Sequence, residues 1–149
     1  GLVLFAAQCE TGKKALRPPG GWLVIALSKL LGRLPAKMAG LGPEDEPADA
    51  AIDAVRWTTA AQRNGRWLEV MRGITTPVLA IASAGDSVDP AEGCERLYAR
   101  FASVDRSWTL LSKANGWAED YSHPGMIVSR AAREEVWPHV GDWISARCG

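Results

Sequence analysis

Residues 77–90 read PVLAIASAGDSVDP, and this stretch decides the fold. It opens with an apolar run of strand length that ends at Gly85, and Asp86 follows the glycine directly. Asp89 then fits the N-cap of a helix, and Pro90 fits the first helical position. Open α/β sheets build their sites from a strand, an acid and a helix in this order, because a crevice forms beyond the carboxyl ends of the strands. Rigid elements on both sides would let Asp86 orient a partner.

Composition bounds the class of protein. The chain has 149 residues, 47% hydrophobic and 23% charged, with formal net charge zero, which predicts one domain with a real core and no nucleic-acid partner. The longest apolar run, Trp22–Leu27, is too short to cross a membrane. Three cysteines, Cys9, Cys94 and Cys148, form neither a CxxC pair nor a Cys/His ligand spacing, and no secretory signal is visible. These features predict a reduced, cytoplasmic protein without a cofactor.

Hydrophobic patterning places a parallel α/β sheet around the central stretch. Residues 1–7, GLVLFAA, are apolar throughout, as in a parallel strand buried on both faces. Residues from about 11 to 72 form an inserted helical segment, longer than a simple crossover needs. The other predicted elements, in chain order, are strand Val78–Ser83, helix Pro90–Phe101, strand Ser107–Ser112, a loop with His123, and a helical end from Met126 to Arg147. Pro138 should break that end, so that a short final helix starts near Trp137.

The order of these elements resembles the C-terminal half of the α/β-hydrolase fold. The resemblance covers essentially the whole chain, as strands six to eight plus a helical cap at about residues 11–72. In that family the acid of a Ser–His–acid triad follows the seventh strand and the histidine follows the eighth. The resemblance therefore implies that Asp86 is the orienting acid and His123 the general base.

Two further segments resemble a bacterial group of predicted α/β-hydrolases. Gly32–Gly42, followed by Val55-Arg56-Trp57, is similar to the cap region of that group. Glu135–Pro138 with Asp142–Ile144 is similar to its C-terminus. The expected fold is thus α/β, with a partial hydrolase-like parallel sheet of about three strands, flanking helices and a cap insertion.

The chemistry of the two candidate residues is consistent with this resemblance. A histidine works as a base near neutral pH, and an acid on its other nitrogen fixes the tautomer and stabilises the imidazolium. The plainer interpretations remain open: Asp86 as a turn residue and His123 as a loop histidine bonded to the backbone. Asp89 is the competing acid, but the N-cap explains it better. His139 lies in a helix start and is expected to be structural, and two scattered histidines are too few for zinc.

The nucleophile of the family is missing from this sequence. A nucleophile elbow reads Gly-x-Ser-x-Gly, and no such motif occurs. The serines, all with other flanks, are Ser28, Ser83, Ser87, Ser103, Ser107, Ser112, Ser122, Ser129 and Ser145. Cys9 is interpreted as structural or incidental, because the family places its nucleophile after strand five and residues 1–7 look like strand six. The chain alone is therefore expected to be inactive.

Three explanations follow: a part of a longer hydrolase, a non-catalytic stand-alone α/β module, or a module that binds an apolar ligand or a protein. An unpaired edge on the first strand predicts a homodimer, or pairing with the missing half, through Leu2, Val3, Leu4 and Phe5. The apolar segment Trp22–Leu31 predicts a small, partly apolar substrate such as an ester, thioester or lactone. That segment can equally pack on the sheet or on a second subunit.

Overall fold

The computed structural model describes residues 1–8, 16–38, 44–63 and 70–148, with the side chains of the third range described as far as residue 58. Cys9 and the end of the Gly32–Gly42 segment lie outside the described residues. The described residues form two compact units. The first contains residues 1–8 and 70–148, and the second contains residues 16–38 and 44–63.

The described elements run in chain order as follows: β1 (Leu2–Phe5), α1 (Gly20–Leu31), β2 (Arg33–Leu34), β3 (Glu46–Pro47), α2 (Ala48–Arg63), β4 (Val78–Ser83), α3 (Ala91–Tyr98), β5 (Arg106–Leu111), a 3-10 turn (Lys113–Asn115), α4 (Gly125–Val128) and α5 (Arg130–Ser145). In the first unit β1, β4 and β5 form a parallel sheet in the order β1-β4-β5. The prediction of a three-stranded parallel α/β sheet is confirmed.

The central strand β4 is buried at all six positions, which explains why its sequence is an unbroken run of apolar and small residues. Its side chains alternate between the two faces of the sheet. Leu79 and Ile81 join one core, and Val78 joins the other with Leu97 and Phe101. The first of these cores also contains Ala6, Leu111, Tyr121, Met126, Ala132, Val136 and Trp143. Because cores on both faces hold β4, its C-terminal tip is a rigid platform.

The predicted break at Pro138 is wrong, because α5 runs unbroken from Arg130 to Ser145. Proline removes one helical hydrogen bond, from its own missing N–H to the carbonyl of Glu134. Pro138 and Glu134 are both exposed, so that this carbonyl can bond to water. On the opposite side Val136 and Trp143, which flank the proline in sequence, are both buried in the core. Packing on both sides of the proline therefore outweighs its local preference.

The second unit consists of α1, α2 and the two-residue antiparallel pair β2–β3. Helix α1 packs with small residues facing inwards: Gly21 and Ser28 are buried. A Cβ on Gly21 would overlap the backbone carbonyl oxygen of Leu16 and would lie 2.8 Å from Cγ1 of Val55, so the glycine allows α1 to approach both the segment before it and α2. Most of the large apolar side chains of α1 are exposed, namely Trp22, Leu23, Leu27, Leu30 and Leu31, while Val24 and Ile25 are half-buried. No helix in the described ranges is long and apolar enough to span a membrane.

Candidate active site

The turn after β4 fixes the carboxylate of Asp86. Its Oδ1 accepts hydrogen bonds from the backbone N–H groups of Val88 at 2.8 Å and Asp89 at 2.9 Å. The side chain is completely buried, with an exposed fraction of 0%. The two backbone donors occupy Oδ1 and leave Oδ2 as the oxygen available to another group. The turn therefore presents one oriented oxygen at the carboxyl end of the sheet.

Gly85 allows the loop after β5 to approach this turn. A Cβ at position 85 would overlap the carbonyl oxygen of Asp120, and it would lie 2.7 Å from the carbonyl carbon of Asp120 and 3.0 Å from the oxygen of Tyr121. Real side chains do not reach such distances, and the obstructing atoms are backbone atoms that cannot rotate away. The glycine is thus required for close approach, a role in addition to the end of the strand that the sequence predicts there.

Tyr121 and Glu135 hold the same loop from the other side. The hydroxyl of Tyr121, which is buried, donates to Oε1 of Glu135 on α5, and the backbone N–H of Ala118 donates to the same oxygen at 3.0 Å. Burial raises the pKa of Tyr121 above its usual range, and the hydrogen bond to the Glu135 carboxylate raises it further. Two donors on one carboxylate oxygen fix the loop between Ala118 and Tyr121, immediately before His123.

The structure brings Asp86 and His123 together, although 37 positions separate them in sequence. Nδ1 of His123 lies 2.9 Å from Oδ2 of Asp86. Since an ionised carboxylate can only accept, this contact requires the proton of the neutral ring on Nδ1. The imidazole is 39% exposed, and Nε2 has no partner among the described residues. A histidine held in this way by a buried acid can accept a proton at Nε2.

Asp89 does not cap the following helix, so the N-cap prediction is wrong. Helix α3 begins at Ala91, and its N-cap is Pro90, without a side-chain hydrogen bond. Oδ1 of Asp89 instead accepts from Nε2 of Gln8 at 2.8 Å, and its Oδ2 lies 3.6 Å from Nδ1 of His123. The local pattern Asp-Pro matched a cap, but contacts from distant parts of the chain hold the side chain elsewhere. Gln8 was missed, although it is the first polar residue after an apolar strand at this edge.

The remaining candidates lie apart from the Asp86–His123 pair. Nε2 of His139 lies 3.0 Å from Oγ1 of Thr109, and the His139 ring packs edge-on against Trp117. Cys94 is buried, and its thiol donates to the carbonyl of Asp89. Burial raises the pKa of Cys94 to about 12, and the negative charges of Asp89 and Asp86 add to this shift. Among the described residues, no group of three or more His, Cys, Asp or Glu could hold a metal ion.

Comparisons with known proteins identify solved structures with a similar fold. No protein-family model and no curated protein matches the chain. Among solved structures, a monoacylglycerol lipase from Paleococcus ferrophilus matches 97% of this chain and 58% of its own chain, with a TM-score of 0.60 and 16% identity. BpoC from Mycobacterium tuberculosis, described as a non-heme bromoperoxidase, matches 97% of this chain and 57% of its own chain, with a TM-score of 0.49 and 16% identity.

The chain thus spans less than two thirds of the length of either structure. At 16% sequence identity, these matches support a shared fold but do not support a shared activity. The parallel order β1-β4-β5 and the match to the lipase over nearly the whole chain agree with the fold predicted from the sequence. The chain has part of the α/β-hydrolase fold.

Proposed function

We propose that this chain supplies the acid and the base of an α/β-hydrolase that acts on small, partly apolar esters or related acyl compounds. In this proposal Asp86 orients His123, and the nucleophilic serine lies outside this sequence. The observation that carries the proposal is the 2.9 Å contact between the completely buried Asp86 carboxylate and Nδ1 of His123. An ion pair on the surface would not require a buried carboxylate. A carboxylate that only stabilised its own turn would not require a histidine beside it.

The chemistry follows from which ring nitrogen is available. Nε2 of His123 takes the proton of the serine hydroxyl while the serine oxygen bonds to the acyl carbon of the substrate. Asp86 stabilises the imidazolium that forms, and Nε2 then gives the proton to the leaving alcohol as the ester bond breaks. Water activated by the same nitrogen hydrolyses the acyl-enzyme and restores the serine. His123 thus acts in both half-reactions.

The substrate class is inferred from the exposed apolar side chains of α1 in the second unit. Trp22 is 64% exposed and Leu30 is 80% exposed, on a helix whose small residues are the buried ones. Such a surface favours apolar over charged compounds, because contact with an apolar group removes both from water. We therefore infer acyl chains or other apolar groups in the substrate.

The test uses the longest reading frame that contains the codon for Gly1. A Gly-x-Ser-x-Gly motif upstream supports the proposal, and the encoded protein should hydrolyse p-nitrophenyl butyrate. His123→Ala should then lower kcat/KM by about 100- to 10,000-fold, the usual contribution of a general base. His139→Ala is the matched control and should keep the activity of the parent. Equal activity of His123→Ala and the parent protein would overturn the proposal.

A second candidate function is a non-catalytic module that binds an apolar ligand or a protein. The exposed apolar face of α1 favours it, since Trp22, Leu23 and Leu30 would serve binding without any triad. In that case the reading frame has no nucleophile motif. Trp22→Ser with Leu30→Ser should weaken binding of a fluorescent fatty acid, while His123→Ala should leave it unchanged.

A further inference from the structure

Three segments that follow the three strands of the sheet meet at His123. Gln8 follows β1, Asp89 follows the turn after β4, and His123 follows β5. Nε2 of Gln8 donates to Oδ1 of Asp89 at 2.8 Å, and Oδ2 of Asp89 lies 3.6 Å from Nδ1 of His123. Asp86 approaches the same nitrogen at 2.9 Å. One imidazole nitrogen therefore faces two carboxylates.

The two carboxylates are held by different means. Backbone N–H groups of its own turn fix Asp86, so its orientation is local. The side chain of Asp89 makes no cap bond to α3, and its donor among the described residues is the amide of Gln8, 81 positions away in sequence. A neutral amide orients a carboxylate without placing a positive charge beside it, unlike lysine or arginine.

We propose that two carboxylates position His123, Asp86 in direct contact and Asp89 at longer range, and that Gln8 is the positioning residue that holds Asp89. The inference rests on the proposed function, because it concerns the same base. The second carboxylate strengthens the preference for a proton on Nδ1, and it adds negative charge beside the imidazolium that forms during proton transfer. Gln8 acts on the ring through Asp89.

The experiment measures the His123 ring directly by NMR of the 149-residue protein with labelled histidine. In the parent protein the neutral ring should be protonated on Nδ1. Asp89→Asn should accelerate exchange of this proton with water about two- to fivefold, the range expected for a partly exposed ion pair, and should raise the fraction of the other tautomer. Gln8→Leu should shift both readouts in the same direction, with a smaller amplitude.

Glu92→Gln is the matched control, since it removes an exposed acid from the first turn of α3. It should leave both readouts at the parent values. The signals of His139 report whether each variant keeps its fold, because that ring lies against Thr109 and Trp117. If Asp89→Asn disturbs the His139 signals, the Gln8→Leu variant tests the proposal instead, because Gln8 lies outside the turn that holds Asp86.

A parent-like exchange rate in either correctly folded variant overturns the proposal, as does an equal effect of Glu92→Gln. A failure of the proposed function looks different. If His123→Ala keeps full ester hydrolysis in the longer protein, the hydrolase proposal falls while the NMR result for Asp89 and Gln8 still stands.

Discussion

The carbonyl group of Asp120 occupies the space that a Cβ on Gly85 would fill. The loop that carries the histidine therefore rests directly on the turn that carries the acid. The geometry of the pair depends on this backbone contact as much as on the two side chains.

Gly85→Ala should push the His123 loop away from the turn. We expect a loss of about 1–3 kcal/mol in the free energy of unfolding, as for overpacking of a core, together with faster exchange of the Nδ1 proton of His123. Urea denaturation and NMR measure the two effects. Gly141→Ala is the control, because nothing lies within 4 Å of a Cβ there. That substitution in the interior of α5 should stabilise the protein by about 0.5–1 kcal/mol. A Gly85→Ala protein as stable as the parent would contradict the required close approach.

Tyr121→Phe should weaken the attachment of the same loop to α5. The substitution removes a hydrogen bond to the Glu135 carboxylate, which should cost about 1.5–3 kcal/mol of stability. Ala118 still donates to that carboxylate, so the fold should persist. Urea denaturation at pH 7 checks the magnitude, and an unchanged midpoint would show that the bond contributes nothing.

The raised pKa of Tyr121 also predicts a pH dependence. Because the folded state holds the phenol proton more tightly than the unfolded state, this contribution to stability is complete below the ordinary tyrosine pKa of about 10. It is lost as the pH rises above that value towards the higher folded pKa. The stability difference between the parent and Tyr121→Phe should therefore shrink above pH 10. A constant difference between pH 8 and pH 11 would contradict this sign.

The two described cysteines should differ sharply in reactivity. Cys148 is exposed, whereas Cys94 is buried and burial raises its pKa to about 12, so very little of the Cys94 thiol is ionised at pH 8. In a Cys9→Ser background, iodoacetamide at pH 8 should modify one thiol of the folded protein, and Cys148→Ser should remove that reaction. Unfolding in urea should expose Cys94. Rapid labelling of Cys94 in the folded protein would contradict its burial.

The outer edge of β1 should pair with another strand, from a second copy or from a preceding part of a longer hydrolase. Leu2 and Ala6 donate their N–H groups towards β4, so by alternation those of Val3 and Phe5 point away from it. Val3→Pro should therefore reduce association while the fold persists. Leu4→Pro, the matched variant, should instead destabilise the fold, because it removes a donor to β4. Sedimentation velocity and urea denaturation separate the two effects, and a monomeric parent protein at high concentration would contradict the homodimer.

The parts of the fold that follow from continuous patterns could be predicted. The bounds of β4 and its place in a parallel sheet are as predicted, because an unbroken apolar run is typical of a strand that is buried on both faces. Asp86 and His123 were placed at one edge because parallel strands end on the same side. Two predictions, the Asp89 N-cap and the helix break at Pro138, are wrong because distant contacts override local preference. Gln8 draws Asp89 away from the helix start, and core packing around Val136 and Trp143 carries α5 through Pro138. A single sequence records the local preference but not the contact that overrides it.

Every described contact of the His123 ring comes from the first unit, whereas the exposed apolar helix α1 belongs to the second. The described residues that hold the Asp86–His123 contact, among them Gly85 and Tyr121, all belong to the first unit. For engineering, α1 is therefore the helix to vary, and the turn at Gly85 is the segment to preserve, because a Cβ there would meet the backbone of Asp120.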